Sequence, residues 1–77
     1  MTTEQKQLLY DIAKWYVKEF YNRMEDKWSE KHYQIDAECR TTIDKLEKEY
    51  REKYGPLPEW KYIDDVLSAM KELKDGV

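Results

Sequence analysis

The sequence predicts an all-α fold, in which a long antiparallel helical hairpin is followed by a shorter third helix within one domain, residues 1–77. Apolar residues recur every three or four positions, and no stretch alternates apolar and polar residues as a half-buried strand does. Only two glycines and two prolines occur among the 77 residues, too few for the turns of a β-sandwich or barrel. A chain of this length buries only about 60% of its unfolded surface, so we expect marginal stability and consider a dimer as one assembly.

The first helix is predicted over about residues 3–28. Thr2 and Gln5 have the spacing of a capping box, in which the threonine hydroxyl accepts from a free backbone N–H and the glutamine side chain reaches back. At about 100° per residue, the apolar side chains that follow cover more than half of the helix circumference. An ordinary surface helix has a narrower apolar stripe. We therefore expect this helix to have neighbours on two sides.

The second helix is predicted over about residues 30–54, with Ser29 as its cap. Its apolar seam is narrow and consists of His32, Ile35, Cys39, Ile43, Leu46, Tyr50 and Tyr54. Acid-to-base pairs four residues apart surround this seam, a pattern typical of a helix with one buried edge and a solvated back. The stretch 25–31 is the only turn candidate before it, although nothing there forbids continuous helix. We favour a hairpin over an unbroken rod, which would have to dimerise to bury its apolar residues.

The third helix is predicted over about residues 58–74. Gly55-Pro56-Leu57-Pro58 interrupts the helical pattern, because glycine can end a helix and the proline after it cannot continue one. Pro58 suits the first turn of a new helix, where its missing N–H has no intrahelical partner. The apolar face of this helix consists of Trp60, Ile63, Val66, Leu67, Met70 and Leu73.

The unequal helix lengths predict an uncovered region at the hairpin turn, which we call the distal end. The first two helices are each about 35–40 Å long and the third is about 25 Å long. We expect the third helix to start beside the N-terminal end of the first, to lie in the hairpin groove and to stop short of the distal end. Exposed aromatic and methionine side chains are typical of interaction surfaces. The predicted partner-binding residues are Phe20, Tyr21, Met24, Trp28, His32 and Tyr33.

A second interpretation of the same residues is that they belong to the core of the monomer. Aromatic residues at helical spacing are more often core than site. In that case the third helix bends over the distal end, or the hairpin is shorter than predicted, and no docking surface is left.

The sequence carries no pattern of catalytic or metal-binding residues. Cys39 and His32 lie on one helix about 10 Å apart, too far for a nucleophile and its base. One cysteine and one histidine are a poor basis for a zinc site. Phosphate-binding loops need glycines that the chain lacks outside its helix stops. We expect a protein that is not an enzyme and that uses no cofactor and no metal.

The composition argues against nucleic acid as a partner. The segment 14–23 interleaves lysine and arginine with aromatic residues, as stacking surfaces do. However, its cations are spread around the helix, and the chain has a net charge of −3. The reverse idea is mimicry of nucleic acid by rows of carboxylates. Nearly all of those carboxylates have a lysine or arginine close by, which is typical of a solvated helix face.

The sequence therefore favours a non-catalytic protein–protein binding module that acts by covering a partner surface, as small inhibitors of host enzymes or defence complexes from phages and mobile elements do. The alternatives are a structural homodimer with no other partner and a helical binder of a nucleotide-like ligand. No apolar run approaches the roughly 18–20 residues that span a bilayer, so we expect no membrane partner. The single cysteine fits a reducing compartment, and we expect a cytoplasmic protein.

Overall fold

Three α-helices form the protein, as a computed structural model shows for residues 1–75, and this part of the chain contains no strand. They are α1 at Thr3–Arg23, α2 at Glu30–Tyr54 and α3 at Ile63–Asp75. α1 packs against both α2 and α3, whereas α2 and α3 make no close backbone contact within the described residues. The prediction of an all-α three-helix unit is confirmed.

The start of α1 depends on the Thr2 hydroxyl, which accepts a hydrogen bond from the backbone N–H of Gln5 at 3.1 Å. This half of the predicted capping box is present. The Gln5 side chain does not reach back to the cap, because its Nε2 donates instead to the hydroxyl of Tyr50 at 3.1 Å. Gln5 therefore ties the N-terminal turn of α1 to the C-terminal part of α2.

The turn between α1 and α2 starts earlier than predicted. α1 ends at Arg23 rather than near residue 28, and the N–H of Met24 bonds both the Phe20 and Tyr21 carbonyls, at 3.2 and 3.3 Å. The residues that follow include Glu25 and Asp26, whose carboxylates are unfavourable at the negative end of a helix dipole. The predicted hairpin is present and the rod is not.

The new helix begins after Ser29, which has extended backbone angles. The backbone N–H of Ser29 donates a hydrogen bond to Nδ1 of His32 at 3.1 Å. The predicted cap position is thus correct, and the histidine side chain occupies the place that a glutamate or glutamine usually takes in such a cap.

The third helix begins at Ile63 rather than at Pro58, so its predicted start is wrong by five residues. Residues 55–62 form an irregular connector instead. A residue before proline is biased toward extended backbone, and the two prolines in this segment extend that bias across it. The Asp65 carboxylate then accepts from the backbone N–H groups of Lys61 and Tyr62, both at 3.2 Å, and stabilises the first turn of α3.

The path of α3 also differs from the prediction. The connector runs along α1, with Leu57, Pro58 and Trp60 beside Ile12 and Tyr16. α3 consequently starts beside the C-terminal half of α1 and runs back, so that Leu73 and Lys74 lie next to Gln7 and Tyr10.

α3 therefore does not lie in the hairpin groove, because within the described residues all of its close backbone contacts with other helices are with α1. The expectation that α3 starts at the N-terminal end of α1 is wrong. The reason for this difference is the connector, which carries the chain most of the way along α1 before α3 begins.

The core explains the wide apolar arc of α1. Leu9 and Ile12 are buried on α1 together with Tyr50 of α2 and Leu73 of α3. Cys39 and Ile43 of the predicted α2 seam have no exposed surface. The expectation that α1 has neighbours on two sides is met by α2 on one side and α3 with its connector on the other.

Candidate functional site: the distal groove

The six residues predicted to bind a partner remain accessible to different extents. Phe20 is 38% exposed, Tyr21 56%, Met24 61% and Tyr33 64%. Trp28 and His32 are half-buried. The monomer therefore does not seal Phe20 and Met24.

Aromatic contacts divide these residues into two groups. Phe20 and Tyr21 pack edge to face, with ring centroids 5.6 Å apart. Trp28 stacks on His32 at 6.2 Å and meets the edge of Tyr33 at 4.9 Å. We call Trp28, His32 and Tyr33 the turn cluster.

The turn cluster holds the α1–α2 turn in place. His32 accepts at its ring from Ser29, and its backbone carbonyl accepts from the side chain of Asn22 at 2.9 Å. Asn22 lies near the end of α1, so the stack of Trp28 on His32 is tied to both helices. Three of the six predicted residues thus already contact one another within the turn cluster.

Phe20 and Met24 belong instead to a groove that the sequence reasoning missed in part. This distal groove has a volume of about 410 Å³ and lies between the C-terminal half of α1, the end of the connector and the start of α3. Its lining consists of Tyr16, Glu19, Phe20, Arg23, Met24, Trp60, Lys61, Tyr62, Ile63 and Val66. Tyr62 is 73% exposed, more than any other large apolar side chain in the described residues.

The missed part of the groove is the segment 60–63. The sequence pattern predicts that this segment belongs to a helix that begins at the other end of the molecule, away from Phe20. A signal was present, because Pro56 and Pro58 favour an extended segment that moves Trp60 and Tyr62 along α1.

The floor of the groove is aromatic and polar. Tyr16 meets Trp60 edge to face at 6.2 Å, and its hydroxyl donates to Oε1 of Glu47 at 3.0 Å. Burial raises the pKa of Tyr16, and the hydrogen bond and negative charge of Glu47 raise it further. This phenol remains a neutral hydrogen-bond donor near pH 7.

One wall of the groove carries a buried carboxylate. Glu19 is only 6% exposed and bonds Nε of Arg40 at 2.5 Å. Arg23 lies 3.6 Å from the same carboxylate oxygen and 2.8 Å from Asp36. The hydrogen bond from Arg23 to Asp36 raises the pKa of Arg23, so its charge is fixed. Together these pairs join α1 to α2 beneath the groove.

The lining of the groove consists of aromatic, aliphatic and charged side chains, and it contains no cysteine or histidine. Cys39 lies in the core, where burial raises the pKa of its thiol. Within residues 1–75 no three side chains of the metal-ligating types come together.

Comparisons with other proteins leave the groove to be interpreted from its own residues. None of the helices in residues 1–75 combines the length and apolarity that crossing a bilayer requires. Searches against family models, curated proteins and solved structures gave no match to this chain.

Proposed function

We propose that this protein is a non-catalytic protein–protein binding module that covers a partner surface with the distal groove. The observation that carries the proposal is the exposure of Phe20, Met24 and Tyr62, at 38%, 61% and 73%, around one groove. Burying a large apolar side chain contributes about 1.5–3 kcal/mol relative to leaving it in water. Three such side chains on one groove are a typical anchor set for a partner.

The rigidity of the groove supports the same proposal. Ion pairs from Arg40 to Glu19 and from Arg23 to Asp36 join α1 to α2, and Asp65 fixes the start of α3 through two backbone bonds. A surface that is already ordered loses less conformational entropy when a partner binds. The turn cluster adds to this order, and we assign Trp28, His32 and Tyr33 to that role. Tyr21 packs against Phe20, which lines the groove.

The pairing of carboxylates on α2 favours this function over nucleic-acid mimicry. Glu47 accepts from Tyr16 and lies 3.5 Å from Arg51, and Glu49 lies 2.9 Å from Lys53. A mimic of a phosphate backbone needs carboxylates that are free to meet a basic groove. These two are engaged within the chain.

A matched pair of variants tests the proposal. Phe20→Ala and Leu67→Ala each remove a large side chain of nearly equal exposure, 38% and 39%, and only Phe20 lines the groove. In quantitative pull-downs from lysate of the source cells, we expect Phe20→Ala to abolish the specific capture seen with the unmodified protein and Leu67→Ala to preserve it. Thermal unfolding of each variant confirms that the fold is retained. Equal capture by both variants would contradict the proposal.

Sedimentation velocity across a range of concentrations separates the homodimer from a heterologous partner. A dimer that dissociates on Phe20→Ala but not on Leu67→Ala would assign the groove to self-association. A protein that stays monomeric at all concentrations and still shows Phe20-dependent capture supports the proposed function.

A further inference from the structure

The charges that line the distal groove are not balanced. Its charged side chains are Glu19, Arg23 and Lys61. The Glu19 side chain is only 8% exposed and is neutralised by Arg40, so it presents little negative charge to an occupant. The Arg23 side chain is 52% exposed although it is paired with Asp36.

Of the two cations that line the groove, Lys61 is the one without an ion-pair partner in the described part of the chain. Within residues 1–75 no carboxylate lies within ion-pair distance of its ammonium group. Asp65, four residues further along the chain, accepts from the backbone N–H groups of Lys61 and Tyr62 instead. The groove therefore combines an apolar interior with a free positive charge at its rim.

The open walls of the groove favour a macromolecular occupant over a small molecule. Sites for small ligands usually enclose about 70–90% of the ligand surface. Here Met24 and Tyr62 are themselves 61% and 73% exposed, so they flank an occupant rather than enclose it. Such a groove fits a macromolecular partner whose surface carries a few protruding apolar side chains.

We infer that the occupant is an acidic segment of a partner protein, in which bulky apolar side chains enter between Phe20, Met24 and Tyr62 while a carboxylate pairs with Lys61. This inference rests on the proposed function and specifies the chemistry of the partner. Opposite charges across a docking surface speed association and select against partners of the wrong charge.

Charge also disfavours two other occupants. A second copy docked about a two-fold axis through the groove would bring Lys61 and Arg23 of both copies into one interface without adding a free carboxylate from the groove. Single-stranded nucleic acid would find aromatic side chains for stacking, but it carries a phosphate at every nucleotide and needs a row of cations. The groove lining has only Arg23 and Lys61, and Arg23 is already paired with Asp36.

The test uses the full chain as bait for a displayed library of random peptides of about 16 residues, enough for about four helical turns. We expect the enriched peptides to be acidic and to carry two or more bulky apolar residues. Dissociation constants of synthetic copies of these peptides are then measured by fluorescence anisotropy against the unmodified protein and four variants.

Two pairs of variants separate the apolar and the charged contributions. Phe20→Ala is expected to weaken binding about tenfold, and its control Leu67→Ala less than twofold. Lys61→Glu is expected to weaken binding about fivefold, and its control Lys45→Glu, an exposed lysine on α2, less than twofold. Circular dichroism and thermal unfolding show that each variant keeps the fold.

The outcomes distinguish the inference from the function beneath it. Neutral or basic peptides that depend on Phe20 and not on Lys61 would overturn the acidic partner and leave the docking groove intact. Peptides unaffected by Phe20→Ala, or a library without enrichment, would count against both proposals. Tight binding of a labelled oligothymidylate that depends on Lys61 would replace the acidic peptide with single-stranded nucleic acid.

Discussion

Arg40 extends from α2 to the buried carboxylate of Glu19 on α1, with Nε 2.5 Å from Oε2. Burial lowers the pKa of Arg40, but its hydrogen bond to Glu19 and the charge of Glu19 outweigh this effect and raise the pKa overall. Among the described residues, the only other cation within ion-pair distance of that carboxylate is Arg23, at 3.6 Å. A buried carboxylate requires such partners, so this contact fixes how α1 and α2 align beneath the distal groove.

Removal of this partner should destabilise the fold. We expect Arg40→Met to lower the free energy of unfolding by about 1–3 kcal/mol, because it leaves Glu19 with only the longer contact to Arg23. The value lies below that of a fully buried pair because the Arg40 side chain is 41% exposed and water screens its charge. Urea denaturation followed by far-UV circular dichroism measures the change.

The control for this prediction is Arg51→Met. Arg51 is 59% exposed and lies 3.5 Å from Glu47, so we expect its loss to change the free energy of unfolding by less than about 0.5 kcal/mol. The double variant Glu19→Leu with Arg40→Leu removes the buried charge together with its partner and should recover part of the stability. Equal losses for Arg40→Met and Arg51→Met would show that Glu19 needs no partner.

Tyr16 should contribute through its hydroxyl as well as its ring. We expect Tyr16→Phe to lower the free energy of unfolding by about 1 kcal/mol, since it removes the bond to Glu47 and keeps the ring contact with Trp60. Tyr62→Phe is the control, because Tyr62 is 73% exposed. A similar effect from both substitutions would contradict a specific role for the buried hydroxyl.

The pKa of Tyr16 gives a separate test at high pH. Burial, followed by the hydrogen bond to Glu47, raises this pKa above its ordinary value of 10.0. The folded protein holds the proton more tightly than the unfolded chain, so the contribution to stability is complete below about pH 10 and is lost as the pH rises toward the folded pKa. In an absorbance titration of tyrosinate, we expect one late-titrating phenol that Tyr16→Phe removes. An unchanged titration curve would disprove this assignment.

The helices could be predicted because their signals are local. Helical spacing places Cys39, Ile43 and Tyr50 on one edge of α2, and all three are buried. The wide arc of α1 indicated two neighbours before either was placed. Glu19 was missed although it follows Ile12 and Tyr16 at helical spacing and so falls on the apolar arc. An acid at such a position is a signal for a buried ion pair.

The path of the connector could not be predicted from local signals. Fully extended, the eight residues of segment 55–62 span about 26 Å, so they reach either end of α1. The end that they approach depends on the apolar neighbours of Leu57 and Trp60. These neighbours are Ile12 and Tyr16, which are more than 40 residues away in sequence. Half of the lining of the distal groove follows from this path. The sequence therefore predicts that Phe20 and Met24 lie at this end of the molecule but does not place Tyr62 beside them.

Cys39 should report the stability of the fold through its reactivity. The side chain has no exposed surface, and burial raises its thiol pKa. The thiolate is the reactive form, so the folded protein should react with a disulfide reagent only when it opens. For a free energy of unfolding of about 3–5 kcal/mol, we expect the native rate to be about 10²–10⁴ times lower than the rate in denaturant. Native and denatured rates within tenfold of each other would show that the site is accessible without unfolding.

Gly55 should be required for the backbone angle at the end of α2. Its φ of 93° and ψ of −151° lie in a region that L-residues rarely adopt, and a Cβ at this position would have no atom within 4 Å. If Gly55→Ala lowers the stability of the fold, the cause is therefore the backbone angles and not a contact between the new methyl group and the rest of the protein. We expect the free energy of unfolding to fall by about 1–3 kcal/mol.

A D-alanine at the same position, introduced by chemical synthesis of the chain, is the matched control. It adds the same methyl group, but D-residues favour positive φ, so we expect the free energy of unfolding to stay near that of the glycine protein or to rise by about 0.4–1 kcal/mol through a less flexible unfolded chain. Thermal unfolding of the three proteins measures the differences. If D-alanine destabilises the fold as much as L-alanine, the loss comes from contacts of the methyl group. The connector would then lie closer to its neighbours than the backbone indicates.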